Sequence, residues 1–135
     1  MPYQESPGSD RLKTVSVVLK AGETTLPIGL LVKLSDSATE PNEVVKCAAD
    51  TDDPYGVVVN QAIAALATGS VCTDGECPAL TGDTFSRGDA LTVTSDGKVD
   101  AAASGDRVIG FALEDATAAN QLRMILFKPG ARLLA

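Results

Sequence analysis

Two stretches of this chain repeat each other. Val45-Lys-Cys-Ala-Ala-Asp-Thr-Asp-Asp-Pro-Tyr-Gly-Val-Val-Val lines up without a gap on Val99-Asp-Ala-Ala-Ala-Ser-Gly-Asp-Arg-Val-Ile-Gly-Phe-Ala-Leu. Gly56 falls on Gly110, Tyr55 on Ile109, Asp52 on Asp106, and Cys47 on Ala101. Upstream, Gly29 and Gly88 each open an apolar segment, so the copies cover about residues 29–59 and 88–114, the first carrying extra length in the loop 35–42. Each copy reads as a hairpin, a turn and a Gly-led strand. Neither can bury its apolar face alone, so the two are expected to close on each other as halves of one small barrel.

The local patterns agree with an all-β chain. Residues 12–19 alternate and are rich in β-branched side chains, which predicts a strand; 30–34, 44–48, 55–59, 108–113 and 122–127 read the same way. Asp74-Gly75 and Asp96-Gly97 each sit between short β-like runs, the signature of a two-residue hairpin loop. They predict hairpins of 70–73 with 76–80 and of 90–94 with 98–102. Residues 62–67 could form one helical turn, stopped by Thr68-Gly69. Turns recur about every 8–12 residues and no long helical period occurs, so the expected class is an all-β barrel or sandwich.

A length of 135 residues suits one β domain over 12–130, with a Pro/Gly/Ser-rich, flexible arm over 1–11 and a tail over 131–135. Aromatics are 4% and Trp is absent, so the core must come from Val, Leu, Ile and Ala, which favours thin β-layers over a deep pocket. Eighteen acidic against eleven basic residues give a net charge of -7, without a Lys/Arg cluster, which argues against a nucleic-acid partner. The first residues have no apolar signal core, and the longest apolar stretch, 55–67, is too short to span a bilayer. The expectation is synthesis in the cytoplasm and no membrane partner.

The chain contains no histidine, which removes the commonest general base and metal ligand and excludes Ser-His and Cys-His nucleophiles. Neither catalysis nor a cofactor is expected. Asp50, Asp52 and Asp53 are spaced like part of a calcium loop, but the Gly and closing Glu of such a loop are missing, so no metal site is predicted and solvated turn aspartates are the favoured reading. Arg87-Gly88-Asp89 matches an adhesion tripeptide, yet the repeat already explains Gly88 as a strand opener. Lys98 beside a hairpin tip is read as an ordinary lysine rather than a carrier lysine.

In a two-residue hairpin at Asp74-Gly75, Cys72 would lie opposite Cys77 in a non-hydrogen-bonded pair, with Cα atoms about 4.5 Å apart. That is at the short end of the disulfide range, so a Cys72–Cys77 bridge is geometrically allowed. Cytoplasmic synthesis favours thiols at first, with oxidation after release, and both states stay open. Cys47 reads as a small core residue.

The order of several motifs resembles a family of small proteins that decorate or cement the heads of tailed phages. These are Gly29-Leu-Leu-Val, Pro54-Tyr-Gly-Val-Val-Val, the Ala-rich 62–69 passage, Arg87-Gly-Asp-Ala-Leu-Thr-Val, Asp96-Gly-Lys-Val, Val108-Ile-Gly-Phe-Ala-Leu-Glu-Asp-Ala and Arg123-Met-Ile-Leu-Phe-Lys-Pro-Gly, covering about residues 25–130. The resemblance implies a homotrimer on the capsid exterior, bound to the major capsid protein and holding neighbouring subunits against packed DNA, with no catalytic residues to carry over. Another virion part, from the tail, baseplate or head-fibre base, is the alternative. An arm that leads into a strand can add to a neighbour's sheet edge. Arg11, Lys13 and Lys20 put positive charge in and beside that arm, and are the candidate capsid contacts.

Overall fold

The computed structural model describes residues 12–36 and 41–129. Nine strands are present among them: β1 (Leu12–Leu19), β2 (Leu31–Leu34), β3 (Glu43–Lys46), β4 (Gly56–Val59), β5 (Thr68–Leu80), β6 (Ala90–Val93), β7 (Val99–Ala101), β8 (Gly110–Ala112) and β9 (Leu122–Phe127). They form one sheet in the order β1-β3-β2-β4-β5-β9-β8-β6-β7, and β5 also returns to β1. The first five strands therefore close into a small barrel. Its closing pairs are β1 with β5, antiparallel, and β1 with β3, parallel at Val18↔Glu43 and Leu19↔Val44.

The remaining strands repeat this scheme from the far end of β5. β2 pairs β3 and β4, as β6 pairs β7 and β8. Val32 faces Gly56 where Leu91 faces Gly110, and β4 pairs β5 as β8 pairs β9. The parallel closure is reduced to a bridge between Thr81, the residue after β5, and Val99. β5 thus serves both halves, as the last strand of the first and the first strand of the second, which is why it needs thirteen residues.

That continuity corrects the expected hairpin at Asp74-Gly75. The chain does not reverse there. Lys13 pairs with Asp74 and Thr14 with Cys72, so Thr73 is an extra residue on β5. Such a β-bulge shifts the alternation of faces by one. Val71 belongs to the core inside the first barrel, whereas Cys72, Cys77 and Ala79 belong to the core of the second half. Gly75 takes φ +115° at this junction. The Asp96-Gly97 turn does reverse the chain, with a three-residue rather than a two-residue loop: the Gly97 N–H donates to Thr94 O (3.0 Å), the Thr94 N–H to Lys98 O (2.8 Å), and Gly97 is left-handed at φ +76°. Residues 62–67 form no helical turn; Ile63 instead bridges Leu26.

The ungapped alignment of the two copies shifts by one residue. Lys33 pairs with Val45 as Thr92 pairs with Asp100, and the Cys47 N–H donates to Leu31 O as the Ala102 N–H donates to Ala90 O. Cys47 therefore matches Ala102 rather than Ala101. The match of Asp52 to Asp106 holds, because each carboxylate accepts the N–H three residues before it, from Ala49 and Ala103.

Two cores result. Val17, Leu19, Leu26, Leu30, Val32, Val44, Val58, Ile63 and Val71 fill the first barrel. The second joins the outward face of β2 and β4 (Leu31, Val57, Val59) to Phe85, Leu91, Val99, Ile125 and Phe127 of the other half. β4 is buried on both faces, which welds the halves together.

Candidate contact surface

β1 carries the sequence-predicted contact residues, except that Arg11 and the rest of the arm 1–11 lie outside the described residues. Lys13 is exposed and sits opposite Asp74. Its carbonyl accepts the Thr73 hydroxyl at 3.4 Å, which ties the start of β1 to the bulge. Lys20 follows β1 and is half-buried; its N–H donates to Val44 O at 3.1 Å. Six residues of strand separate the two lysines, so the structure puts them at opposite ends of β1, not in one cluster.

The second edge of β1 is the more informative feature. One edge is fully paired with β5, from Leu12 to Val18. On the other, β3 reaches only Val18 and Leu19, and the Asn42 amide touches Ser16 O at 3.3 Å. Among the described residues no strand pairs with this edge before Val18. Unpaired main-chain donors and acceptors there can accept an incoming extended segment.

The acidic turn after β3 is occupied by its own chain. Asp52 accepts the N–H groups of Ala48 (2.8 Å) and Ala49 (3.0 Å) and pairs with Lys33 Nζ at 3.1 Å. Burial pushes the Asp52 carboxyl up, but these three partners outweigh it and hold it below the ordinary carboxylate range. Asp53 pairs with Arg107, which links this turn to its counterpart in the second half. Among the described residues no group of three or more Cys, Asp or Glu side chains is placed to hold a metal ion. Lys98 is similarly engaged, its Nζ donating to Asn120 Oδ1 at 2.5 Å. The Ser86 N–H donates to Asp89 within Arg87-Gly88-Asp89, so that carboxylate closes its own turn.

Cys47, Cys72 and Cys77 are free and buried. Because the expected hairpin is a bulged strand, Cys72 and Cys77 are not a cross-strand pair; they lie on β5 and face the same core. The Cys72 thiol donates to Asp74 O at 3.4 Å. Its hydrogen bond with Cys77, together with burial, raises the Cys77 thiol far above its ordinary range. Burial, helped by the Asp52 charge, pushes Cys47 up to about 12.

No helix long and apolar enough to cross a membrane occurs among the described residues. The surface recesses are open grooves, such as the one lined by Lys33, Leu34, Asp36, Asp53 and Tyr55. A family model described as "Structural cement protein (E217 gp24/Pam3 gp6)" matches residues 6–128. The chain belongs to this phage structural cement family. The cement proteins are phage structural proteins, and this member shares its fold with a solved structure titled as the head fiber gp8.5 N base of bacteriophage phi29. The two superpose with a TM-score of 0.68 at 19% identity, over 92% of this chain and 98% of that one. No curated protein matches the chain.

Sequence reasoning missed the β1 edge and the exposed loop residue Leu66. Leu66 lies beside Lys20: its N–H donates to Leu19 O at 2.8 Å, and its side chain is 70% exposed. Only the pairing pattern reveals either feature.

Proposed function

We propose that this chain binds the outer surface of a phage capsid and ties neighbouring major capsid proteins together, stabilising the head against the pressure of packed DNA. It works as a homotrimer, without catalysis, cofactor, nucleic-acid contact or membrane contact. The single observation that carries this reading is the cement-family match over residues 6–128. The geometry of β1 supports it: β1, which follows residues 1–11 in sequence, offers an edge on which a capsid segment can add main-chain hydrogen bonds. Arg11, Lys13 and Lys20 supply positive charge along that segment, and several weak contacts per trimer give firm attachment.

The test is decoration of purified, expanded heads by full-length and truncated protein. Deleting residues 1–11 is expected to leave the thermal transition in place and to reduce head occupancy strongly, read by quantitative gel densitometry. Equal occupancy would reject the arm as the contact. A second reading, the base of a head fibre, is favoured by the fold shared with the phi29 head fiber base. It predicts a low copy number per virion, where cementing predicts a number near that of the major capsid protein.

A further inference from the structure

The two halves treat one strand position differently. Lys33 on β2 and Thr92 on β6 are equivalent, because Lys33 pairs with Val45 where Thr92 pairs with Asp100. The acids of the following turns are equivalent too: Asp52 Oδ2 accepts the Ala49 N–H, and Asp106 Oδ2 accepts the Ala103 N–H. In the first half the other oxygen, Asp52 Oδ1, takes the Lys33 ammonium at 3.1 Å. The second half exchanges the Lys33–Val45 pair for Thr92–Asp100, so it loses the cation and gains an acid. Among the described residues no hydrogen bond reaches Asp106 Oδ1.

The surface at that position follows from the exchange. An open groove of about 610 Å³ lies between the two acidic turns, with Ala48, Asp50, Thr92, Asp100, Ala103 and Asp106 in its walls, and no lysine or arginine lines it. The equivalent groove of the first half, about 450 Å³, has Lys33 in its wall. Leu91 and Val93 face the shared core, so Thr92 between them faces the other way, into the groove. Thr92 is only 6% exposed, yet its hydroxyl finds no hydrogen-bond partner among the described residues. A buried hydroxyl without a partner is costly, and it marks a place where a group from outside can complete the bonding. Asp100 and Asp106 are half-buried, and each uses one carboxylate oxygen on a nearby backbone N–H. Arg107, the residue after Asp106, is directed elsewhere, to Asp53.

The geometry points to a docking groove in which a lysine of the capsid shell places its ammonium among Thr92, Asp100 and Asp106, as Lys33 does against Asp52 within the first half. This rests on the reading that the chain binds the shell, and adds the chemistry of the partner. An ammonium suits the site because the hydroxyl and the remaining carboxylate oxygens are acceptors, and Asp50 adds a third negative charge to the walls. A metal ion suits it less, since among the described residues no three Cys, Asp or Glu side chains are placed to hold one. The net charge of -7 further favours a basic partner surface.

Two measurements test the groove. The first titrates the full-length chain with n-butylammonium chloride, followed by amide NMR against sodium chloride at equal ionic strength. Saturable shifts are expected at Thr92, Ala103 and Asp106, and none at Ala49 and Asp52, where Lys33 already sits. Asp106→Asn keeps an acceptor for the Ala103 N–H and removes the charge, while Thr92→Lys supplies the chain's own ammonium, as in the first half. Each should keep Tm and weaken the probe about tenfold or more, the scale of one charged hydrogen bond. Asp106→Asn decides alone if the longer side chain of Thr92→Lys unfolds the strand. Wild-type shifts no larger than the salt control, or undiminished saturation in Asp106→Asn, overturn the proposal. Tighter saturation of the same amides by calcium or magnesium chloride would make the groove a metal site and overturn it as well. The second measurement decorates purified, expanded heads with the same variants, whose occupancy should fall. Wild-type decoration with undiminished occupancy by Asp106→Asn overturns the shell lysine and leaves the capsid reading standing. A wild-type chain that decorates no heads overturns the capsid reading itself, and the shell lysine with it.

Discussion

In the first half a bridge joins Leu26 to Ile63, and in the second the corresponding bridge joins Phe85 to Ala116. Similarly, Val58 faces Val71 where Ala112 faces Ile125. A larger side chain on one strand is matched by a smaller one across from it, so a loss on one side is partly offset on the other. Close-packed interiors tolerate swaps of this kind and not net gains or losses. The halves differ more in closure. The first barrel is sealed by β1, whereas the second has only the Thr81–Val99 bridge and shares its core with the outward face of the first. The first half can thus bury its interior on its own strands, and the second depends on the first for part of its burial.

The glycines that face β2 and β6 give the largest test of this difference. A Cβ at Gly110 would run into the main-chain oxygen of Leu126, and one at Gly56 would meet Val71 Cγ2 at 2.7 Å and the main-chain oxygen of Cys72 at 2.9 Å, so both sites clash with backbone and the approach is closer at Gly110. Gly110→Ala is expected to cost about 4 kcal/mol or more and Gly56→Ala about 2–4 kcal/mol, as judged from steric and strain effects in cores. Urea unfolding curves would show it, and equal losses at both sites would break the proposed asymmetry.

The volume swap gives the next effect. Ile63→Ala alone should cost about 2–5 kcal/mol, and Leu26→Phe alone about 1–3 kcal/mol through overpacking. Together they copy the Phe85–Ala116 pair, and the double variant should recover about 1 kcal/mol or more of the summed loss. Strict additivity in a thermal double-mutant cycle would show that the two bridges are not interchangeable solutions to one volume.

The paired turns offer a smaller, pH-dependent contrast. The folded pKa of Asp52 is depressed, so its contribution to stability is complete above the unfolded carboxylate value of about 4 and is lost as pH falls through the lower folded value. Asp52→Asn should therefore lower stability at neutral pH and flatten the acid limb of a Tm-versus-pH profile. Asp106, which accepts from Ala103 and lacks a Lys33 counterpart, should matter less when replaced by Asn. The same acid limb in wild type and Asp52→Asn would remove this role.

The smallest effect concerns the thiols. Burial should keep all three unreactive towards an aromatic disulfide reagent in the native protein at neutral pH, and Cys47, pushed up to about 12, should stay so into mildly alkaline solution. Denaturation without reductant is expected to release three thiols. A count of one would show one disulfide, and peptide mapping that joins Cys72 to Cys77 would establish that bridge.

Much of the architecture was legible in the residues. Alternating β-branched runs gave the positions of β1, β2, β4, β8 and β9, and the matched glycines at 56 and 110 do occupy equivalent pairing positions. The one-residue slip around Cys47 was hidden, because Val, Ala and Lys fit either register until the partner strand is known. The acidic turns could be read as turns, but not the Lys33–Asp52 and Arg107–Asp53 pairs, whose partners are far apart in sequence.

The sequence by itself determined the strand content, the two-part plan and the lack of histidine chemistry, because periodicity, turn residues and composition are local properties. Tertiary structure decided how the halves join. Asp74-Gly75 has the chemistry of a hairpin tip, yet flanking it are Leu12 and Lys13 on one side and Phe127 on the other, both paired to β5. Continuous passage with one bulge satisfies more main-chain hydrogen bonds and buries both cores, and that sum over distant partners outweighs a local turn preference. Leu66 is decided in the same way: its left-handed backbone, at φ +62°, is held by Leu19, forty-seven residues earlier in the chain.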